Sequence, residues 1–171
     1  MASSGRGQLA TYKQDTGRQL YRRGMYTFIK RTVPPPNMII FDASNRDQCE
    51  VKRSHTNTPL QALVMMNDPI VLEASLSLAD QELMKNNNSP EAAISNAFRR
   101  IICRKPTNKE TEILVDYWKE KQAWFKANAK AADKVIKVGE YKPAYKSNTD
   151  LAAVMQVIQV IYNMEEAITK T

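Results

Sequence analysis

Histidine is nearly missing from the chain. His55 is the single one, so a multi-histidine metal centre and a paired-histidine helix face are both ruled out. Cysteine is scarce too: Cys49 and Cys103 lie far apart and form neither a C-x-x-C nor a C-x-x-C-H pattern, which leaves zinc and covalent haem sites without support. Their separation admits both a single disulfide in an oxidising compartment and two unpaired core thiols. No Gly-rich phosphate loop, G-x-S-x-G elbow or H-E-x-x-H pair occurs, which sets those enzyme classes aside. Long apolar runs are absent: the longest, Leu151 to Ile161, is interrupted by Gln156 and Gln159 and falls short of the roughly 20 residues of a membrane span. No apolar stretch follows the first basic residue, Arg6, so no signal peptide is read there, and any targeting signal is expected upstream in a longer parent chain.

What remains is an ordinary globular composition with an uneven charge. The 171 residues are 43% hydrophobic and 25% charged, enough for one domain with a cooperative core. The net charge of +7 is concentrated at one end, since residues 1–60 carry 10 Lys/Arg against 4 Asp/Glu. Residues 61–129 carry 9 against 9 and residues 130–171 carry 6 against 5.

In that basic end, the spacing of Tyr21, Met25, Phe28 and Ile29 predicts an amphipathic helix over 17–31, weakened by Gly24, with its aromatics facing inward. Pro34, Pro35 and Pro36 predict a stiff spacer, Met38 to Phe41 a strand or extended piece, and 42–57 a long polar loop. Beyond it the helix punctuation is plain. Thr58 with Gln61, and Thr107 with Glu110, form capping boxes. Pro59, Pro69 and Pro90 each follow a capping residue, Thr58, Asp68 and Ser89, at the first helical position. The inward stripes are Leu72, Leu76, Ala79 and Leu83, then Ile94, Ala97, Phe98 and Ile101. Ile113, Leu114, Tyr117, Trp118, Trp124 and Phe125 follow, on a helix predicted to run to about Val138 and to stop at Gly139. After a polar loop, the last helix begins at Thr149; with apolar residues on nearly every side, including Leu151, Val154, Met155, Ile158 and Ile161, it belongs at the centre of the core. The expected fold is therefore all-α: a bundle of four to five main helices over 58–171, with residues 1–57 as an irregular, proline-containing arm of the same domain.

Three constellations could carry function. A lone His55 can act as a general base only beside a nucleophile and an orienting carboxylate, and its plainer role is a hydrogen-bonded neighbour of a helix start. Around it Asp42, Arg46, Arg53, Asn57 and Asp68 are the candidate catalytic residues, placed where a loop would meet two helix N-termini that favour an anion. Arg18, Arg22, Arg23, Lys30 and Arg31 are the candidate ligand-binding residues, able to meet phosphates or an anionic glycan while tyrosines stack on bases.

The run Leu20-Tyr21-Arg22-Arg23-Gly24-Met25-Tyr26-Thr27-Phe28, with Lys30-Arg31-Thr32-Val33-Pro34-Pro35-Pro36 behind it, resembles the signature of the planctomycete-type domain of unknown function 1553. Phe41-Asp42-Ala43 with Arg46 and Cys49, Thr56-Asn57-Thr58-Pro59-Leu60-Gln61-Ala62-Leu63, Asn67-Asp68-Pro69 and the closing block from Ile161 to Thr169 are similar to its further blocks in the same order. The resemblance implies the C-terminal part of a large bacterial protein, exported to the periplasm or cell surface, with a cytochrome c-like haem domain upstream. It also implies that this chain is a truncated member, with no cofactor of its own. An arginine commonly stands in that pattern where His55 stands here, which leaves Arg53, Asn57 and Asp68 as the better candidates for a shared site.

Together these observations favour a helical accessory module that contacts neighbouring domains of its parent, or an anionic polymer or glycan, and is not an enzyme by itself. The alternatives are a hydrolase-type domain acting on glycan-associated substrates through the 42–68 region, and nucleic-acid binding through the basic segment.

Overall fold

A computed structural model describes residues 15–27, 29, 34–44, 51, 52, 56–87 and 89–169. They are helical with no strand among the described residues, as the punctuation and apolar spacing predict. The chain divides into two compact units, Met1–Thr56 and Asn57–Thr171.

In the first unit the expected amphipathic helix gives way, over its described residues, to two single 3-10 turns, Gly17–Gln19 and Gly24–Tyr26. Gly24 weakens any helix through it, and Arg18 and Arg22 stand one turn apart with like charge, which further disfavours one. Arg23 between the turns is extended, at φ −60° and ψ 145°. The aromatics do not face inward as expected: Tyr21 is 54% and Tyr26 66% exposed. Phe28, Lys30 and Arg31 lie outside the described residues. The triproline acts as a spacer only in part, because Pro36 occupies the first position of a short helix, α1 (Pro36–Ile40), where its missing N–H leaves no carbonyl unsatisfied. Met38 to Ile40 are therefore helical and not extended.

The second unit holds α2 (Pro59–Asn67), α3 (Pro69–Lys85), α4 (Pro90–Ile102), α5 (Asn108–Ala127), α6 (Ala129–Val135), α7 (Asn148–Tyr162) and α8 (Glu165–Ile168). Both capping boxes form: the Gln61 and Glu110 backbone N–H groups donate to Thr58 and Thr107, whose own N–H groups donate to the Gln61 and Glu110 side chains. Asp68 caps α3 by accepting from Ile70 N at 2.8 Å. Ser89 stands at the N-cap of α4 but makes no side-chain capping bond.

Helix α7 is the axis of the unit, packed against α2, α3, α4, α5, α6 and α8. Leu151, Val154, Met155, Val157, Ile158 and Ile161 are wholly buried on it, each contributing about 1.5–3 kcal/mol. Leu76, Ala79 and Leu83 from α3 and Ala97 and Phe98 from α4 close the core around them. The two glutamines that interrupt the apolar run of α7 serve a polar relay: Gln156 donates to Gln159, and Gln159 donates to the Met66 carbonyl at the end of α2, 3.2 Å away.

Two expectations fail in α5. Its helix ends at Ala127 because Asn128, at φ −125°, turns its side chain back onto the Trp124 carbonyl, and α6 starts afresh. Ile113 and Trp124 are exposed, at 67% and 51%, although Trp124 still meets the Phe125 ring edge-on. Cys103 is an exposed free thiol and not a core residue, whereas Cys49 lies outside the described residues.

Candidate functional site

Of the expected site residues that the structure describes, Asp42 and Asp68 are engaged locally. Asp42, in the left-handed region at φ 55°, accepts from the Thr56 backbone N–H at 2.8 Å and from its hydroxyl at 2.8 and 3.0 Å, so its carboxylate is taken up by Thr56. Asp68 caps α3, and Asn57 is exposed just ahead of α2. Arg18, Arg22 and Arg23 are exposed. Arg46, Arg53 and His55 lie outside the described residues.

The most heavily built polar arrangement is one the sequence reading passed over. Glu73 and Asp80 stand two turns apart on α3, beside its apolar stripe, and both are at least 96% buried. Glu73 Oε1 accepts from the backbone N–H groups of Glu140 and Tyr141. Asp80 accepts from the Tyr141 hydroxyl at 2.7 Å, Tyr145 N at 2.8 Å and Ala144 N at 3.1 Å. Gln122 and Ser147 both donate to Asp150, which fixes the far end of the same segment. The irregular connection over 136–147 is thus held at three points. Burial, and secondarily the bond to Asp80, pushes the Tyr141 phenol up from its ordinary value. A spacing of seven with an offset of one from the Leu72, Leu76, Ala79, Leu83 stripe was the available signal, since it puts both carboxylates on the shoulder of the buried face.

A second cluster joins α4, α5 and α8. Arg104 donates to both Glu110 oxygens at 2.9 and 2.7 Å, and to both Glu166 oxygens at 2.9 Å, with its guanidinium 5.0 Å from the Phe98 ring centre. Arg104, followed by the Thr107 backbone N–H, holds the Glu110 carboxyl down at about 2. Its ordinary value is 4.5, so the stabilisation is complete above that pH and is lost as the pH falls through about 2. An acid titration of unfolding stability should therefore fall more steeply between those values in the parent than in Glu110→Gln, which keeps the capping box but not the charge. Equal acid slopes would refute the assignment.

Helix α2 has an inverted surface. Its Gln61 is 1% exposed, held by the capping box, whereas Leu60, Leu63 and Met66 are 53%, 57% and 52% exposed, with Ile70 at 47% past a 62° bend. The three on α2 follow one another at three-residue spacing, so they share one side of the helix.

A family model described as Protein of unknown function (DUF1553) matches residues 3–118. The chain belongs to this family. No curated protein and no solved structure matches it. The DUF1553 match takes in α1 to α4 and α5 as far as Trp118; residues 161–169 lie beyond it. The exposed α2 row and the Glu73 and Asp80 carboxylates fall within the DUF1553 span, whereas the segment those carboxylates hold does not.

Proposed function

We propose that this DUF1553 chain is a helical interaction module of an exported multidomain bacterial protein, which docks a neighbouring domain of its parent on the α2 row. The observation that carries this reading is the inversion of α2, a charge-free helix that hides its glutamine and presents Leu60, Leu63 and Met66. Half-exposed leucines forgo part of the roughly 1.5–3 kcal/mol that full burial of each would contribute, and contiguous apolar surface of this kind marks interaction sites. The engagement of Asp42 with Thr56 and of Asp68 in a cap supports a binding role over a hydrolytic one.

Leu63→Glu is expected to change the stability of the chain by no more than about 1 kcal/mol, because more than half of the side chain is already exposed. A photoreactive residue at position 63 in the full-length parent should crosslink to another domain of that polypeptide. Crosslinks confined to residues 1–171, or a large loss of stability in Leu63→Glu, would overturn the proposal.

A second reading, contact with an anionic glycan, is favoured by the exposure of Tyr21 and Tyr26 next to exposed Arg18, Arg22 and Arg23. No Asp or Glu occurs from Thr16 to Phe41 to oppose them. Binding to a sulfated glycan should weaken steeply with salt and be lost in the double variant Arg22→Gln, Arg23→Gln. A null titration at low salt removes this reading.

A further inference from the structure

An open cavity of about 540 Å³ lies at the C-terminal end of α3, lined by Met84, Asn87, Ala144, Tyr145, Lys146 and Ser147. From α2 it is separated by the whole of α3, 17 residues and about 25 Å long. Four of its six described lining residues belong to the 136–147 connection, the segment that Glu73, Asp80 and Asp150 hold in place. Helix-to-helix connections commonly need two to eight residues, fewer than the 12 here. Here two carboxylates, each at least 96% buried, take up backbone N–H groups of Glu140, Tyr141, Ala144 and Tyr145, so the wall of the cavity is set before any ligand arrives.

We infer that this cavity is a saccharide site for a singly charged, carboxylate-bearing sugar, a hexuronate unit. The volume falls within the roughly 300–1,000 Å³ of small-ligand sites. Among the described lining residues Lys146 is the one cation and none is acidic, which suits a ligand carrying a single negative charge. Asn87 supplies an amide, and Ser147, whose hydroxyl proton goes to Asp150, supplies an oxygen that can accept from a sugar hydroxyl, while Met84 and Tyr145 supply apolar surface for the ring. Neither the α2 row nor the arginine segment contributes to it, so the site stands or falls apart from both readings above.

The test is an amide NMR titration of the full chain with sodium glucuronate, and in parallel with glucose and with sodium acetate. Glucuronate should shift the amides of Met84, Asn87 and Ala144 to Ser147, with half-saturation at least about tenfold below that of either control, since glucose lacks the carboxylate that meets Lys146, acetate lacks the ring and its hydroxyls, and either deficit is worth about that factor. Lys146 is exposed, so Lys146→Gln should fold normally and weaken glucuronate about tenfold without affecting crosslinking from position 63. Glucuronate that leaves those amides unmoved, binds no better than glucose or acetate, or binds Lys146→Gln equally well would overturn the inference.

Discussion

Gly139→Ala should lower the unfolding free energy by about 3–5 kcal/mol, among the largest losses a single methyl can cause. Two effects add. Gly139 stands at φ +77°, where an L side chain carries a backbone penalty of about 1–2 kcal/mol. A Cβ built there would meet the Glu73 carboxyl at 2.3, 2.4 and 2.8 Å, closer than any real contact. The carboxylate would have to withdraw from the N–H groups of Glu140 and Tyr141, and bonds to a charged acceptor contribute about 1.5–3 kcal/mol each. Urea unfolding followed by circular dichroism gives the number. A double-mutant cycle separates the two parts: in a Glu73→Ala background the clash is gone, and Gly139→Ala should cost only the backbone part of about 1–2 kcal/mol. A loss in the parent background no larger than that backbone part of about 1–2 kcal/mol would mean that Glu73 does not occupy the space beside Gly139.

The features legible in the sequence were those whose partners are near in the chain. Thr58 with Gln61 and Thr107 with Glu110 are three residues apart, so the capping boxes could be read directly and both formed. The position of α7 at the centre was legible for a related reason: apolar residues on nearly every side of one helix leave no other place for it. What escaped depends on distance along the chain. Glu73 meets its partners 67 and 68 residues away, and Asp80 meets its own 61 to 65 residues away, so on α3 alone they look like solvated charges. The inversion of α2 is not legible from the capping pattern alone, because a capping Gln61 is compatible with either side of the helix, and only its burial turns Leu60, Leu63 and Met66 outward. The helix expected over 17–31 failed through overweighting apolar spacing against Gly24 and the Arg18, Arg22 pair.

Asp80→Ala should cost about 2–5 kcal/mol, and its signature should be local before it is global. The substitution strips three donors of their acceptor at once, the Tyr141 hydroxyl and the N–H groups of Ala144 and Tyr145, and each donor left unsatisfied in a buried place costs about 1–3 kcal/mol. Water entering the vacated space would satisfy some of them, which places the expected loss below the sum. Asp80→Asn keeps one acceptor oxygen but turns an N–H donor toward donors, so it should fall between the parent and alanine. In hydrogen exchange the amides of Ala144 and Tyr145 should lose protection in Asp80→Ala while those of Val154 to Ile158 on α7 keep it, because the connection opens without the core. The Tyr141 phenol reports on the same change from the side-chain end. Burial is the first cause of its raised value and the bond to Asp80 the second, so with Asp80 gone its titration should move back toward the ordinary phenol value. Unchanged protection at Ala144 and Tyr145, together with an unmoved Tyr141 titration, would show that the connection is ordered by packing of Tyr141 and Tyr145 on the core and that the buried carboxylate is incidental to it.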